Sequence, residues 1–240
     1  MAAEQARIAL ITGASGGIGS AIARRLAAEG FRLALCGRSE EKLNAVRTGL
    51  GAGAQVLLLP GDLTDSTYQD ACFSAVQTRF GGLDVLINCA GMAQNDAFAS
   101  ITPEAFDEIM TLNCRVPFFL CQKALPLLRQ SHAASILNIA SVTAHKGYVR
   151  QSAYAASKHA LAGFTKALAG EVYQDGIRVH LLSPGGVFTD MVRVARPDLT
   201  VQDMILPEDI AEIAAFLLLH RTNAVIDEIE VHRANKTPFL

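Results

Sequence analysis

The sequence predicts a doubly wound α/β fold, and three observations carry that prediction. Short apolar runs alternate along the chain with longer helical patterns. Most of the runs are continuously apolar, as in strands covered on both faces, and lack the in–out alternation of a half-exposed sheet. A glycine-rich stretch, Thr12-Gly13-Ala14-Ser15-Gly16-Gly17-Ile18-Gly19, separates the first run from the first helical pattern. Strand and helix in steady alternation imply parallel strands joined by right-handed crossovers.

In chain order, the strand candidates are Arg7–Ile11, Phe31–Cys36, Gln55–Leu59, Leu83–Asn88, Ser135–Ala140, Ile177–Leu182 and Ile226–Val231. Helical patterns cover 17–29, 39–49, 64–79, 103–129, 152–174 and 207–220. Thr102-Pro103-Glu104 and Pro207-Glu208-Asp209 read as helix starts, because proline suits a first turn whose N–H groups have no partner. No repeat, low-complexity segment or linker interrupts the pattern, so residues 1–240 read as a single domain of about seven strands with helices on both faces.

Composition excludes several classes. The 240 residues are half hydrophobic, enough for one large core. With 21 basic and 23 acidic side chains, the net charge of −2 gives no electrostatic case for nucleic acid or an anionic membrane. Glu4 and Arg7 deny the N-terminus the apolar centre of a signal peptide. The most apolar long run, Ile205 to Leu219, contains Glu208, Asp209 and Glu212, which rules against a membrane span. The five cysteines are odd in number and lack metal-ligand spacing, so reduced buried thiols, no metal and a cytoplasmic location are expected.

In an open parallel sheet, ligands gather beyond the carboxyl ends of the strands, so functional residues are expected just after each strand. The glycine-rich stretch is in such a place. Glycines there allow a tight turn and let a pyrophosphate approach the N–H groups of a helix start. By itself the stretch reads equally as a plain turn; between strand and helix it signals a dinucleotide. After the second strand comes Cys36-Gly37-Arg38-Ser39, with no acid to repel a 2′-phosphate. Arg38 can pair with that phosphate and Ser39 can donate to it, so NADP(H) is expected over NAD(H); the other reading of Arg38 is a solvated surface arginine. After the third strand, Gly61-Asp62-Leu63-Thr64 offers Asp62 as an acceptor for the adenine amino group. Asp62 or Thr64 serves equally as a helix N-cap, and both roles are compatible. Asn88-Cys89-Ala90-Gly91 ends the fourth strand with small residues suited to lie against a flat ring.

The chemistry centres on Ser152-Ala153-Tyr154-Ala155-Ala156-Ser157-Lys158, with Ser141 upstream. Residues four apart share a helix face, so Tyr154 and Lys158 point into one space. An ammonium about 4 Å from a phenol is worth about 4 kcal/mol at an effective dielectric of about 20. Before desolvation, that is enough to bring a phenol from about 10 towards neutrality. A tyrosine of this kind exchanges protons near neutral pH.

Taken together, the chain resembles the short-chain dehydrogenase/reductase family over its whole length. The motifs are Thr12-Gly13-x-x-x-Gly17-x-Gly19, Asn88-x-Ala90-Gly91, Asn113, Ser141, Tyr154-x-x-x-Lys158 and Pro184-Gly185-x-Val187-x-Thr189, in family order and spacing. The resemblance implies a seven-stranded Rossmann sheet and hydride transfer between NAD(P) and a carbonyl or alcohol. It implies that Tyr154 is the acid/base, that Ser141 holds the substrate oxygen, and that Lys158 binds the nicotinamide ribose and tunes the tyrosine. It further implies that Asn113 anchors a water in a proton relay. Asp62 and Asn88 would line the adenine side, and Val187 and Thr189 the nicotinamide side. Homodimers or homotetramers are implied as well. Two departures stand out: Cys89 replaces a common second asparagine that would brace its loop, and the last strand leads into Asp227-Glu228-Ile229-Glu230-Val231-His232-Arg233 without the usual Asp-Gly-Gly turn.

Further expectations come from the residues. Pro117 has no N–H for the Asn113 carbonyl four residues earlier, which frees that carbonyl for water; an ordinary proline kink is the alternative. Candidate substrate walls are Met92, Ala93, Gln94, His145, Tyr148, Phe188, Met191 and Val192. His145 either binds a substrate acid or caps its loop. Residues 186–206, with Arg193, Arg196 and Asp198, suit a mobile lid. The helix at 152–174 has apolar residues on more than one face, for a partner subunit or for the helix at 103–129. The expected activity is NADPH-dependent reduction of a ketone or aldehyde. The competing readings are an NAD-dependent alcohol dehydrogenase and an NADP-binding sensor or scaffold without turnover.

Overall fold

The structure is a computed structural model, which describes residues 6–190, 192 and 200–237. Seven strands form one parallel sheet: β1 (Ile8–Thr12), β2 (Arg32–Gly37), β3 (Val56–Pro60), β4 (Val85–Asn88), β5 (Ser135–Ile139), β6 (Arg178–Pro184) and β7 (Glu228–Val231). Their order is β3-β2-β1-β4-β5-β6-β7. Chain direction along the sheet therefore reverses between β1 and β4, and the crevice of such a sheet opens beyond the strand ends at that reversal. β1 is paired on both sides, Ala9 opposite Leu33 of β2 and opposite Val85 of β4. Every residue of β1, β4 and β5 is buried, which accounts for their unbroken apolar runs.

The helices are α1 (Gly17–Ala28), α2 (Glu40–Thr48), α3 (Ser66–Phe80), α4 (Pro103–Met110), α5 (Val116–Leu128), α6 (Ser152–Val172) and α7 (Pro207–Leu219). They cover both faces. One core layer joins Ile22 and Leu26 of α1 and Ile210 and Ala214 of α7 to the sheet; the other joins Phe73 and Val76 of α3 and Leu120 and Ala124 of α5. Phe164 of α6 packs edge-on against Phe118 of α5, with ring centroids 5.3 Å apart, so part of the second apolar face of α6 is spent within the chain. Among the described residues, no helix is long and apolar enough to cross a membrane. Cys36, Cys72 and Cys121 are buried free thiols, as expected, whereas Cys89 and Cys114 are half-buried.

Local chemistry explains the helix starts. Ser39, Asp65 and Thr102 each accept a hydrogen bond from a first-turn N–H of α2, α3 and α4, and Pro103 opens α4 as the sequence predicts. The single helix expected over 103–129 is instead α4 and α5 joined by a π-helical turn, Thr111–Arg115, in which the Val116 N–H donates to the Thr111 carbonyl five residues back. Pro117 accounts for the slip. It cannot donate to Asn113, so the ladder changes register where its N–H is missing.

The missing amide at Cys89 is made good elsewhere. The Thr12 hydroxyl at the end of β1 accepts from the N–H groups of Cys89 and Ala90, at 3.0 and 3.1 Å, and donates to the Ile87 carbonyl at 3.3 Å. One side chain thus braces the loop after β4. Thr12→Val keeps the shape but orphans two N–H groups; chemical denaturation should show a loss of about 1–3 kcal/mol. An unchanged midpoint and slope would show that the brace is dispensable.

Candidate active site

A cleft of ≈ 660 Å³ opens at the reversal between β1 and β4. Its floor is the glycine-rich turn. Gly13 has φ +63°, and a Cβ there would stand 2.8 Å from the Ala90 backbone, so only glycine lets the turn close against the loop after β4. α1 starts differently from its neighbours: Gly16 at its N-cap offers no side-chain oxygen, and its first turn has no acid. Its N–H groups therefore face the cleft at the positive end of the helix, an arrangement that suits a pyrophosphate. Gly13, Ser15, Gly16, Gly17, Ile18 and Gly19 all line this cleft. Thr189 stands over Gly17, where an added Cβ would meet its methyl group at 2.8 Å.

At the far end of the cleft stand Arg38, Asp62 and Leu63. Arg38 is exposed there, beside Lys42, a cation that the sequence reading passed over. Ser39 is occupied as a cap, its Oγ accepting from the Lys42 N–H at 3.2 Å. Asp62 accepts from the Thr64 N–H at 2.9 Å, but neither of these residues caps α3; Asp65 does, because the helix begins two residues later than expected.

Nearer the sheet centre, four predicted residues come together. Asn113, in the π-turn, is 1% exposed. Its Oδ1 accepts from the Met92 N–H, while its Nδ2 donates to the Met92 carbonyl and to Ser157 Oγ, at 2.9, 2.9 and 3.0 Å. Ser157 Oγ donates in turn to the Tyr154 carbonyl at 2.8 Å. Lys158 Nζ donates to the Ile139 carbonyl at 3.0 Å and lies 5.8 Å from the centroid of the Tyr154 ring. Gly91 sits between them: a Cβ there would be 3.1 Å from Asn113 Oδ1 and 3.7 Å from Lys158 Nζ. Ser141 ends the strand region of β5 and starts a short 3-10 turn, its Oγ accepting from the Thr143 N–H at 3.2 Å. Ser157, Thr143 and Gln94 belong to this assembly in ways no motif announced.

The electrostatics reverse one expectation. Burial holds the Tyr154 phenol above its ordinary value, and the Ser141 and Thr143 hydroxyls pull it only partly back. Lys158 does not bring the phenol down, because the amine is turned to the Ile139 carbonyl and is itself destabilised as a cation. Burial lowers it to about 8, with Cys89 opposing the shift. Burial likewise pushes the Cys89 thiol up to about 12. The expected lowering was reckoned before desolvation, and in the structure desolvation is the largest influence on both groups.

Other expected residues sit elsewhere. Asn88 is no cleft wall: its Nδ2 donates to Asn138 Oδ1 at 2.8 Å and to Cys121 Sγ at 3.3 Å, inside the core. The strand's alternation turns it towards α5 and away from the adenine side, whereas Ala90 and Gly91 do line the cleft. Gly185 is tucked under β7, its N–H donating to the Val231 carbonyl at 2.7 Å, immediately after Pro184. Val187 is buried, 4% exposed, and bridges to Ile205, so it belongs to the core and not to the cleft wall. His145 resolves in favour of its structural reading: it points at Ser183 Oγ, 3.1 Å, and Glu228 Oε1, 2.7 Å, away from the cleft. Tyr148 is 46% exposed, and the Phe188 N–H is held by the Ile205 carbonyl. Met191, Arg193, Arg196, Asp198 and much of the expected lid lie outside the described residues.

The residues present fit a nicotinamide dinucleotide. The glycine cradle, an uncapped helix start and a cation at the β2 end line one crevice, and the buried polar cluster stands behind its Gly91 wall. Comparison with known proteins agrees. A family model described as short chain dehydrogenase matches residues 7–200. The chain is 35% identical over 221 residues to an acetoacetyl-CoA reductase of Cupriavidus necator, covering 88% of this chain and 90% of that one. Among solved structures, it is similar to an alcohol dehydrogenase from Thermococcus sibiricus complexed with 5-hydroxy-NADP, with TM-score 0.88, 26% identity and coverage of 97% and 98%. It is also similar to a metagenomic short-chain oxidoreductase in complex with NADP, with TM-score 0.82, 31% identity and coverage of 96% and 98%.

The buried amine gives a direct test. In an NMR titration of the free protein, one lysine side chain should titrate near pH 8 and vanish from the spectrum of Lys158→Met. If every lysine titrates near the ordinary value of about 10.4, the amine is not desolvated.

Proposed function

The chain belongs to the short-chain dehydrogenase/reductase family, and from that premise we propose that it reduces a ketone or aldehyde to an alcohol with NADPH. The single observation that carries the reading is the convergence of Ser141, Tyr154 and Lys158 beside the cleft, with the phenol held above its ordinary pKa. Such a phenol keeps its proton at neutral pH, the state from which a reductase's acid must start.

When bound, the nicotinamide supplies the hydride. The protein's own residues do the rest. The Ser141 and Tyr154 hydroxyls donate to the substrate oxygen, whose negative charge grows in the transition state, so both bonds strengthen as the reaction proceeds. Tyr154 then releases its proton to that oxygen. Lys158, a buried cation below about pH 8, stands behind Gly91 and offers donors to a ribose there. Pro117 denies the Asn113 carbonyl an i+4 partner, which supports a water there as the route by which the tyrosine regains a proton.

NADPH is favoured over NADH because Arg38 and Lys42 stand at the ribose end of the cleft and no carboxylate ends β2. The NADP complexes among similar structures support this choice. Similarity to an acetoacetyl-CoA reductase supports a 3-oxoacyl-type substrate.

The decisive experiment follows absorbance loss of NADPH and NADH in parallel with a panel of 3-oxoacyl thioesters, diketones and aldehydes. Turnover with NADPH supports the reading; cofactor binding without turnover on any carbonyl or alcohol would overturn it in favour of a sensor. Tyr154→Phe should lower kcat by at least ~10²-fold, and near-native turnover would remove the tyrosine from its role. Arg38→Ala should reduce the NADPH/NADH ratio of kcat/KM by about 10-fold or more, the value of one hydrogen bond to a charged group. An unchanged ratio would return Arg38 to the solvated surface.

A further inference from the structure

We propose that Gln94 is a positioning residue for Tyr154: from the loop after β4, its carboxamide caps the helix that carries the phenol. The proposal rests on Tyr154 as proton donor. α6 begins without a cap of its own, since Gln151 at its N-cap makes no side-chain hydrogen bond. The first-turn N–H groups of Ala153 and Tyr154 instead donate to Gln94 Oε1, at 3.2 and 3.4 Å. These are donors that helix geometry leaves unpaired, and an oxygen there is what a cap supplies. It comes from a residue some sixty positions earlier, by way of a loop that also reaches the cleft at Gly91.

The contact is part of a longer seam. The Asp96 N–H donates to the Arg150 carbonyl at 3.0 Å, and the Arg150 guanidinium donates to the Asn95 carbonyl at 3.2 Å. Arg150 has φ +66°, and no other non-glycine among the described residues has positive φ. A non-glycine held in this region persists only where its surroundings enforce it, and here the enforced carbonyl is the one that Asp96 uses. At the other end of the segment, Asn113 holds Met92 through both of its peptide groups. The peptide groups of Tyr154 are therefore fixed from two directions: its N–H by Gln94 and its carbonyl by Ser157. The loop thus couples the wall of the cleft to the register of the phenol. Gln94 is no mere substrate wall, as its sequence position suggests; its oxygen is committed to α6.

Two variants test this, with Tyr154→Phe as reference. Gln94→Leu keeps bulk but loses the acceptor, whereas Gln94→Glu keeps an acceptor of the same reach. Gln94→Leu should lower kcat by about 5- to 20-fold, by the same factor for every carbonyl substrate, with the KM for NADPH unchanged. Amide hydrogen exchange at Ala153 and Tyr154 should accelerate in the same variant. Gln94→Glu, which keeps the acceptor, should hold kcat within about 3-fold of native. A kcat within twofold of native in Gln94→Leu, a loss confined to KM or varying with substrate, or a Gln94→Glu variant as slow as Gln94→Leu would each overturn the proposal. If Tyr154→Phe is inactive while Gln94→Leu is normal, only the positioning role fails. If Tyr154→Phe stays active, the proton-donor reading fails and the proposal with it, whatever the exchange data show.

Discussion

The carboxamide of Asn113 spends three hydrogen bonds on one task, holding the loop after β4 against the helix that carries Tyr154. Those two elements follow neighbouring strands, β4 and β5, and nothing in the strand ladder fixes their relative height. A buried amide with all three bonds made does fix it, since leaving any of them open inside the core costs about 1–3 kcal/mol. Asn113 reaches this place because the helix around it widens into a π-turn, and the turn exists because Pro117 cannot continue the ladder. A backbone irregularity thus sets the geometry of the site.

Burial governs the protonation states built on that geometry. The same desolvation that raises the Tyr154 phenol lowers the Lys158 amine to about 8, so the two move apart and the amine loses its proton before the phenol, the reverse of free tyrosine and lysine. Salt has little access to such a pair, unlike the exposed ion pairs that link α1 and α7, Arg24 with Glu208 and Arg25 with Glu212.

Much of this was legible in the chain. Apolar runs marked all seven strands to within two residues at each end, because parallel strands under two helical layers must be apolar on both faces. The glycine cradle was legible because a close backbone approach admits no Cβ, and Tyr154 with Lys158 because a four-residue spacing brings side chains to one face. Other features left no local mark. Gln94 caps a helix some sixty residues away, and Ser157 reads as one more small residue of α6. Asn88 matched a motif yet faces the core, since a motif records residue type and spacing but not the side of the strand that meets the ligand.

By itself, then, the sequence determined the parallel αβ winding, the crevice at its reversal and the residue types gathered there, because periodicity and steric demand are written in neighbouring positions. Only the tertiary structure decided which way those side chains face and how easily they ionise. Desolvation and cross-element hydrogen bonds depend on what surrounds a group in space. For Tyr154, that meant a phenol raised by burial, where spacing along the helix pointed to one lowered by charge.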